Sequence, residues 1–263
     1  MGLIFVLWYL DAEPLPRPSI VFGFWTVNSI AWCEKMLILS VDTASKAGSV
    51  AVLRDDVLLG CVETESTESH SVRLFAAVRF LTGQLKLRLN EFEAYAVTTG
   101  PGSFAGLRIG VATIKGLAEM NQKPVIPVST LEAFAAAAAE VLPSPRIAAL
   151  LDAHRSELYA GVYAMSNGEL EAVEPDRLMK VESFFASQPK VPCQFAGPDV
   201  DKFSSHITPN AGSGWSFLRT SWYLAPQVAR LAARKFERAE KVSSEQVSIH
   251  YIRRSDAEMM FKG

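Results

Sequence analysis

The sequence predicts an α/β protein with two lobes, each built around a mixed β-sheet. From Met36 onwards, apolar runs of strand length alternate with segments whose apolar residues recur at helical spacing. The order strand–strand–strand–helix–strand–helix runs through residues 36–142, and a shortened version of it occupies residues 143–263. Because alternating strands and helices pack as layers, this pattern favours two α/β lobes, of which the second is reduced.

The elements of the first lobe follow from apolar periodicity and capping signals. The predicted strands cover 37–41, 49–53, 57–63, 93–98 and 125–128. One helix begins at the candidate N-cap Ser69 and ends near 87, and a second runs from the glycine-rich loop to about 121. A third begins at Ser129, which forms a capping box with Glu132, and ends near 142.

The second lobe begins after Pro143-Ser144-Pro145 and ends in a helix and a tail. Its predicted strands cover 147–152, 158–164, 169–173 and 193–196, and its predicted helices cover 181–188 and 225–239. The turn Asn167-Gly168 precedes the third of these strands. Ligands of such sheets bind beyond the carboxyl ends of strands, which is where Asp42 and the glycine-rich loop lie.

Residues 1–35 differ in composition from the rest, and we interpret Met36 as the natural start of the protein. The apolar run 1–10 is shorter than the roughly 20 residues that span a bilayer. It also lacks the basic leader and the small-residue cleavage site of a signal peptide. The alternative is a segment that associates with a membrane or a partner.

Charge and cysteine content narrow the function classes. The chain has 26 Lys and Arg against 28 Asp and Glu, whereas proteins that bind nucleic acid unaided usually carry a basic surplus. A role on nucleic acid is therefore expected to need a partner. The three cysteines, Cys33, Cys61 and Cys193, are widely spaced and odd in number, so we expect neither a disulfide framework nor a zinc site. The simplest compartment is a reducing cytoplasm.

The most specific feature of the chain is the loop from Thr98 to Gly110. It joins a predicted strand to a predicted helix, so its backbone N–H groups lie at the positive end of the helix dipole. That position suits a phosphate, a carboxylate or a closely approaching backbone. No Gly-Lys-Ser/Thr closes the loop, and its glycine spacing is not that of a dinucleotide fingerprint. Ser103 also lacks the flanking glycines of a nucleophile elbow.

Several segments together resemble the TsaB (YeaZ) family. They are 37–44, His70-Ser71, 100–110, 128–131, Leu151-Asp152-Ala153-His154-Arg155 and Tyr251-Ile252-Arg253. The resemblance extends from Met36 to about Phe261, and the loop is its most specific part. Ala105 stands where the family usually has Thr, and His70-Ser71 replaces a more usual His-Thr. The family belongs to the actin/Hsp70/sugar-kinase fold group, so the resemblance implies two actin-like (ribonuclease H-like) lobes.

The resemblance also implies a function. The TsaB family supplies a subunit of the bacterial machinery that makes threonylcarbamoyladenosine in tRNA, next to the anticodon. The expected role is that of a non-catalytic subunit that binds and activates the catalytic paralogue TsaD, alongside the ATPase TsaE. A homodimer is expected when the chain is alone, and tRNA is expected to meet it only through the complex. The alternative is an autonomous ATP-dependent small-molecule kinase or ATPase of the same fold group.

The resemblance implies that ATP and magnesium act at the level of the complex, with no cofactor bound firmly by this chain. TsaD is expected to hold a metal through a helical histidine pair. The four histidines here, His70, His154, His206 and His250, include no pair at i, i+4 spacing, so we expect no metal site. His154 follows Asp152 at a strand end of the second lobe. This pair is either part of a functional site or a charged hairpin turn.

A nucleotide or anion site is the first of two candidate sites. In the fold group, an acidic residue and a hydroxyl at the end of the first strand bind phosphate and magnesium. The matching residues here, together with the glycine-rich loop, are Asp42, Thr43, Gly100, Gly102 and Ser103. The alternatives are an Asx-turn at Asp42 and a helix cap at Ser103. No residue supplies a base for Ser103, so no catalytic residue is predicted.

The second candidate site is a partner interface. Gly106 and Gly110 lie on one side of the predicted helix, and each costs roughly 1 kcal/mol relative to alanine. A close backbone approach compensates that cost, either from the chain's own sheet or from a partner helix. Related subunits pair through their first two helices, which favours the partner. Val72 and Phe75 belong to a second apolar row on the first helix and complete the predicted interface.

Overall fold

The structure is a computed structural model that describes residues 36–65, 70–166, 169–207 and 214–253. Three predictions lie outside these residues: the interpretation of 1–35, the N-cap Ser69 and the turn Asn167-Gly168. Within the described residues, no helix has both the length and the apolar character needed to cross a membrane.

The first sheet has five strands in the order β3-β2-β1-β4-β5. The strands are β1 (Leu37–Asp42), β2 (Gly48–Arg54), β3 (Val57–Thr64), β4 (Ala94–Thr98) and β5 (Val125–Val128). β1 pairs antiparallel with β2 and parallel with β4, so the sheet is mixed. Helices α1 (His70–Gln84) and α2 (Phe104–Asn121) cover one face, where they pack on apolar side chains of β1, β2 and β4.

The second sheet also has five strands, in the order β10-β9-β6-β7-β8. The strands are β6 (Arg146–Asp152), β7 (Glu157–Ser166), β8 (Glu169–Lys180), β9 (Cys193–Gly197) and β10 (Trp215–Arg219). The helices after β8 and β9, α4 (Val181–Ser187) and α5 (Ser204–Ile207), are short. These two mixed sheets confirm the predicted fold class.

Two strands differ from the sequence prediction. β8 continues to Lys180 through Pro175, which lies at a register shift in this edge strand and has no partner in the ladder with β7. A bulge in an edge strand tolerates proline because no ladder N–H is needed there. β10 was not predicted at all. Its five residues are only partly buried or exposed, and among the described strands it pairs with β9 alone, so its local apolar signal is weak.

Helices α3 (Thr130–Val141) and α6 (Ala225–Glu237) join the two lobes. α3 packs on β6, β7 and β9 of the second sheet, whereas α6 packs on β1, β2, β4 and β5 of the first. Each helix therefore covers the sheet of the opposite half of the chain. One apolar cluster contains Ile38 from the first sheet, Ile147 from the second, Phe134 from α3 and Val228 from α6. The lobes thus share a core, since apolar burial continues across their junction.

Serine side chains cap the two helices that flank β5. Ser129 Oγ accepts hydrogen bonds from the N–H groups of Leu131 and Glu132, which confirms its predicted role as an N-cap. The Glu132 carboxylate pairs with Lys235 of α6 at 2.7 Å. The start of α3 is thereby bound to α6 as well as to its own cap.

Candidate functional site

A cleft of about 530 Å³ lies between the two lobes. Its first-lobe wall consists of the β1–β2 turn, Glu65 and the glycine-rich loop. Its second-lobe wall consists of the β6–β7 turn, Tyr159 and Asp199. The residues that line the cleft are Ala44, Ser45, Lys46, Ala47, Glu65, Gly102, Ser103, Leu151, Asp152, Ala153, His154, Tyr159, Asp199, Trp222 and Arg253. The cleft thus lies beyond the carboxyl ends of β1, β4 and β6.

The glycine-rich loop is held against the β1–β2 turn. The Ser103 N–H donates to the Ala44 carbonyl at 2.6 Å, and a Cβ on Gly102 would stand 2.3 Å from the same oxygen. Ser103 Oγ accepts from the Gly106 N–H at 3.3 Å, so this hydroxyl caps α2. Gly100 has a φ of +115° and lies against the carbonyl of His250. Gly102 and Ser103 line the cleft, whereas Gly100 does not.

Asp42 is buried and does not line the cleft. Its Oδ1 accepts hydrogen bonds from the Ala44 N–H at 3.1 Å and from the Thr98 hydroxyl at 2.9 Å. Burial raises the pKa of the carboxyl to about 6, although the Ala44 N–H and the Thr98 hydroxyl lower it. The Leu224 N–H, just before α6, also lowers this pKa. The second carboxyl oxygen, Oδ2, makes no hydrogen bond to any described residue.

Thr43 explains the glycines of α2. Its hydroxyl donates to the Gly106 carbonyl at 2.8 Å. A Cβ on Gly106 would stand 2.1 Å from the Thr43 carbonyl, and a Cβ on Gly110 would stand 2.2 Å from the Thr43 hydroxyl oxygen. The end of β1 therefore makes the close approach that these glycines permit. The prediction that a partner helix lies against Gly106 and Gly110 is wrong, because the chain itself fills that face.

Oppositely charged groups pair along the second-lobe wall. Asp152 accepts from the His154 N–H at 2.8 Å and from Lys202 Nζ at 3.0 Å. Partial burial raises the pKa of Asp152, but these two hydrogen bonds and the nearby Lys202 charge outweigh it and leave the pKa below its ordinary value. Lys202 also lies 3.3 Å from Asp199. Lys202 thus compensates both acidic side chains of this wall, Asp152 and Asp199.

Arg253 contacts the β6–β7 turn from the C-terminal segment of the chain. Its Nη1 donates to the Ala153 carbonyl at 2.7 Å, and its Nη2 pairs with the Glu157 carboxylate. Sequence reasoning assigned no role to Arg253 and did not single out Tyr159, Trp222 or Lys46, which also line the cleft. No spacing pattern marks these residues, because they come from distant elements. Among the described residues, no cluster of three or more His, Cys, Asp or Glu could hold a metal ion.

The outer face of α1 carries an apolar patch. Val72 and Phe75 are 59 % and 56 % exposed, while Leu74, Val78 and Leu81 of the same helix are buried on the sheet. A groove of about 470 Å³ follows this face and is lined by Phe75, Ala76, Arg79 and Phe80. An exposed apolar patch of this kind is typical of a protein interaction site.

Helix α2 also presents small residues outwards. Ala112 and Gly116 are exposed, and a Cβ on Gly116 would meet nothing within 4 Å. Of the three glycines in α2, the one that is open to an approaching molecule is therefore Gly116, one turn beyond Ala112. α1 and α2 lie on the same face of the first sheet, so their outer sides form one surface.

Comparisons with known proteins identify relatives over most of the chain. A family model described as "TsaD: tRNA N6-adenosine threonylcarbamoyltransferase" matches residues 57–259. The Bacillus subtilis protein named "tRNA threonylcarbamoyladenosine biosynthesis protein TsaB" is 31 % identical, over 75 % of this chain and 86 % of the relative. A Haemophilus influenzae protein of the same name is 29 % identical, over 70 % of this chain and 74 % of the relative.

A solved structure agrees with these relatives. The structure described as "YeaZ from Pseudomonas aeruginosa" superposes with a TM-score of 0.73 at 28 % identity, and the match covers 82 % of this chain and 99 % of that one. Sequence and fold therefore point to the same group of proteins. The chain belongs to the TsaB (YeaZ) family of TsaD-type proteins.

Proposed function

We propose that the chain is the TsaB-type subunit of tRNA threonylcarbamoyladenosine synthesis, and that it binds and activates a TsaD-type catalytic partner. The B. subtilis relative carries that biosynthetic name and is matched over 86 % of its length. The adenosine next to the anticodon is the site of modification in this proposal. The chemistry, transfer of a threonylcarbamoyl group to the adenine amine, takes place on the partner.

The cleft supports a non-catalytic role. Ser103 Oγ is engaged as a helix cap, and no histidine or carboxylate is hydrogen-bonded to it among the described residues. Asp42 is buried away from the cleft, with Oδ1 held by Thr98 and Ala44. A nucleophile needs an adjacent base and a position open to substrate, and neither carboxyl nor hydroxyl meets both conditions. No observation favours the kinase or ATPase alternative.

The exposed face of α1 is the observation that carries the binding role. Val72 and Phe75 are more than half exposed, and Phe75 lines a groove of about 470 Å³ on the same helix. Burying apolar surface contributes roughly 25 cal/mol per Å², so a helix laid on this face gains substantial free energy. Ala112 and Gly116 of α2 allow the partner backbone to come close. This surface replaces the buried Gly106 and Gly110 in the proposed interface.

The remaining partners follow from the same complex. We infer that a TsaE-type ATPase and tRNA meet the chain through its TsaD-type partner, and that ATP and magnesium act in the assembled complex. The near balance of charge, 26 basic against 28 acidic residues, supports a chain that does not bind tRNA alone. The same apolar face serves a homodimer when the partner is absent, and the compartment is the cytoplasm.

The experiment is a paired binding and activity assay with Phe75→Glu. The variant places a charge in the apolar groove, so we expect capture by an immobilised TsaD-type partner to fall at least ten-fold. Threonylcarbamoyladenosine formation in the reconstituted system should fall with it. Val141→Glu is the matched control, because Val141 is 71 % exposed on α3 and lies outside this surface.

The two variants together decide the result. Full binding by Phe75→Glu would remove the α1 face from the interface. Equal losses for Phe75→Glu and Val141→Glu would show that a surface charge weakens the complex regardless of position. Circular dichroism on both variants checks that each keeps its fold.

A further inference from the structure

The lobes diverge from a shared floor. Leu151 and Trp222 line the cleft and also belong to, or pack against, the apolar cluster that joins the two sheets. α3 and α6 fix the lobes at this floor. The lips of the cleft, formed by the β1–β2 turn and the β6–β7 turn, need a separate connection to keep a constant distance.

The segment 240–250 binds to the first lobe along its whole length. Val242 exchanges two backbone hydrogen bonds with Val125 of β5, each 2.9 Å long. Lys115 of α2 donates to the carbonyls of Glu245 and Val247 at 3.3 and 3.1 Å, and Val247 is buried in the first-lobe core. The His250 N–H donates to the Thr99 carbonyl at 2.8 Å. The segment thus moves with the first lobe.

Tyr251 gives the segment its last hold on the first lobe. Its hydroxyl accepts from Arg108 Nε at 3.0 Å, and its ring lies 5.2 Å from that of Phe104. The Arg108 guanidinium in turn lies 3.7 Å from the Phe104 ring centroid, a cation–π geometry. The three side chains therefore hold one another at the start of α2.

Two residues later the chain binds to the other lobe. Arg253 donates to the Ala153 carbonyl and pairs with Glu157, which stand on either side of the β6–β7 turn. The Arg253 side chain is only 21 % exposed, so this ion pair is screened less than a surface pair. Two residues span at most about 7 Å when fully extended. A backbone link so short leaves little slack between the start of α2 and the β6–β7 turn.

We propose that the segment 240–253 is a brace between the lobes, and that the Arg253 contacts with Ala153 and Glu157 latch it and set the width of the cleft. The latch transmits the position of α2 to the β6–β7 turn through Tyr251 and Arg253. In the latched state the cleft keeps its volume of about 530 Å³. When the Arg253 contacts break, the β6–β7 turn can move away from the first lobe, while the apolar cluster shared by the two lobes keeps the bottom of the cleft in place.

The test measures the distance between the lips in the full chain by double electron–electron resonance. Spin labels are attached at Lys46→Cys in the β1–β2 turn and at His154→Cys in the β6–β7 turn, which are both exposed and line opposite walls of the cleft. Cys33→Ser removes one native thiol. Cys61 and Cys193 are buried, and burial raises their thiol pKa to about 12 and about 11, so they resist labelling.

Arg253→Ala should shift the distance distribution outward by ~3 Å, the length of one extended residue, and broaden it. Glu157→Gln keeps the size of the side chain but removes its charge, so it should give a smaller shift in the same direction. Arg88→Ala removes an exposed ion pair with Glu91 at 3.6 Å, within the first lobe and away from the cleft, and should leave the distances unchanged. Arg253→Ala distances that superpose on those of the parent overturn the proposal, and so does an equal shift in Arg88→Ala.

Discussion

Gly110 of α2 lies directly on Thr43 at the end of β1, and a Cβ at that glycine would stand 2.2 Å from the Thr43 hydroxyl oxygen. The same hydroxyl donates to the carbonyl of Gly106, one turn earlier. One threonine therefore fixes the start of α2 against the first strand, and the two glycines make room for it. This contact places the glycine-rich loop at the cleft.

The Thr43 contact predicts opposite effects for two glycines of the same helix. Gly110→Ala should lower the free energy of unfolding by roughly 1–3 kcal/mol, since the new methyl group displaces the Thr43 hydroxyl. Gly116→Ala should raise it by roughly 0.5–1 kcal/mol, because the site is open and alanine favours helix. Urea unfolding of both variants provides the comparison. Equal stability of Gly110→Ala and Gly116→Ala would show that Thr43 does not lie against Gly110 in the folded protein.

Asp42 predicts a pH dependence of stability. Its folded pKa of about 6 exceeds the ordinary 3.8, so the folded state holds a proton that the unfolded state releases. The contribution of the Asp42 carboxyl to the free energy of unfolding is largest below about pH 4 and is lost as the pH rises through 6. The loss amounts to about 3 kcal/mol. Asp42→Asn removes the titration while keeping an oxygen for Thr98 and Ala44.

The measurement is the difference in unfolding free energy between Asp42→Asn and the parent across pH 4 to 8. This difference should shift in favour of the variant as the pH rises to 7 and then become constant. A difference that does not change with pH would show that the carboxyl of Asp42 ionises at its ordinary pKa in the folded protein.

Replacing Ser103 should lower the stability of the fold without changing the rate of catalysis by the complex. Ser103→Ala removes the cap on Gly106, which should lower the free energy of unfolding by about 1 kcal/mol. Threonylcarbamoyladenosine formation with a TsaD-type partner should keep its parental rate under conditions where both proteins are folded. A rate that falls by several orders of magnitude at unchanged stability would make Ser103 a catalytic residue.

Ser129→Ala should lower the free energy of unfolding more than Ser103→Ala does. Besides capping two N–H groups of α3, its hydroxyl donates to Asp176, which also accepts from Tyr163 at 2.9 Å. Ser129→Ala therefore removes the cap and leaves a partly buried carboxylate short of a donor, for a total of roughly 2–3 kcal/mol. Thermal unfolding of the two alanine variants side by side checks the order. Equal losses would mean that the bond to Asp176 contributes nothing.

Much of the local structure could be predicted from the sequence. Apolar periodicity located α1 and α2, because Leu74, Val78 and Leu81 recur on the buried side of α1. Ser129 marked the start of α3 through a local hydrogen-bonding signal. β10 escaped prediction, since its five residues gain their stability from pairing with β9 rather than from their own pattern.

The sequence by itself determined most of the order of strands and helices, the cap at Ser129, the glycine-rich loop and the family, because each depends on residues close together in the chain. Only the tertiary structure decided which surfaces the glycines face. In α2, Gly106 meets Thr43, which lies 63 positions earlier, whereas Gly116 is open. The tertiary structure also placed α6 on the first sheet and brought Arg253 to Ala153, 100 positions away. Such contacts arise from packing between distant segments, and no local pattern of residue types encodes which segments will meet.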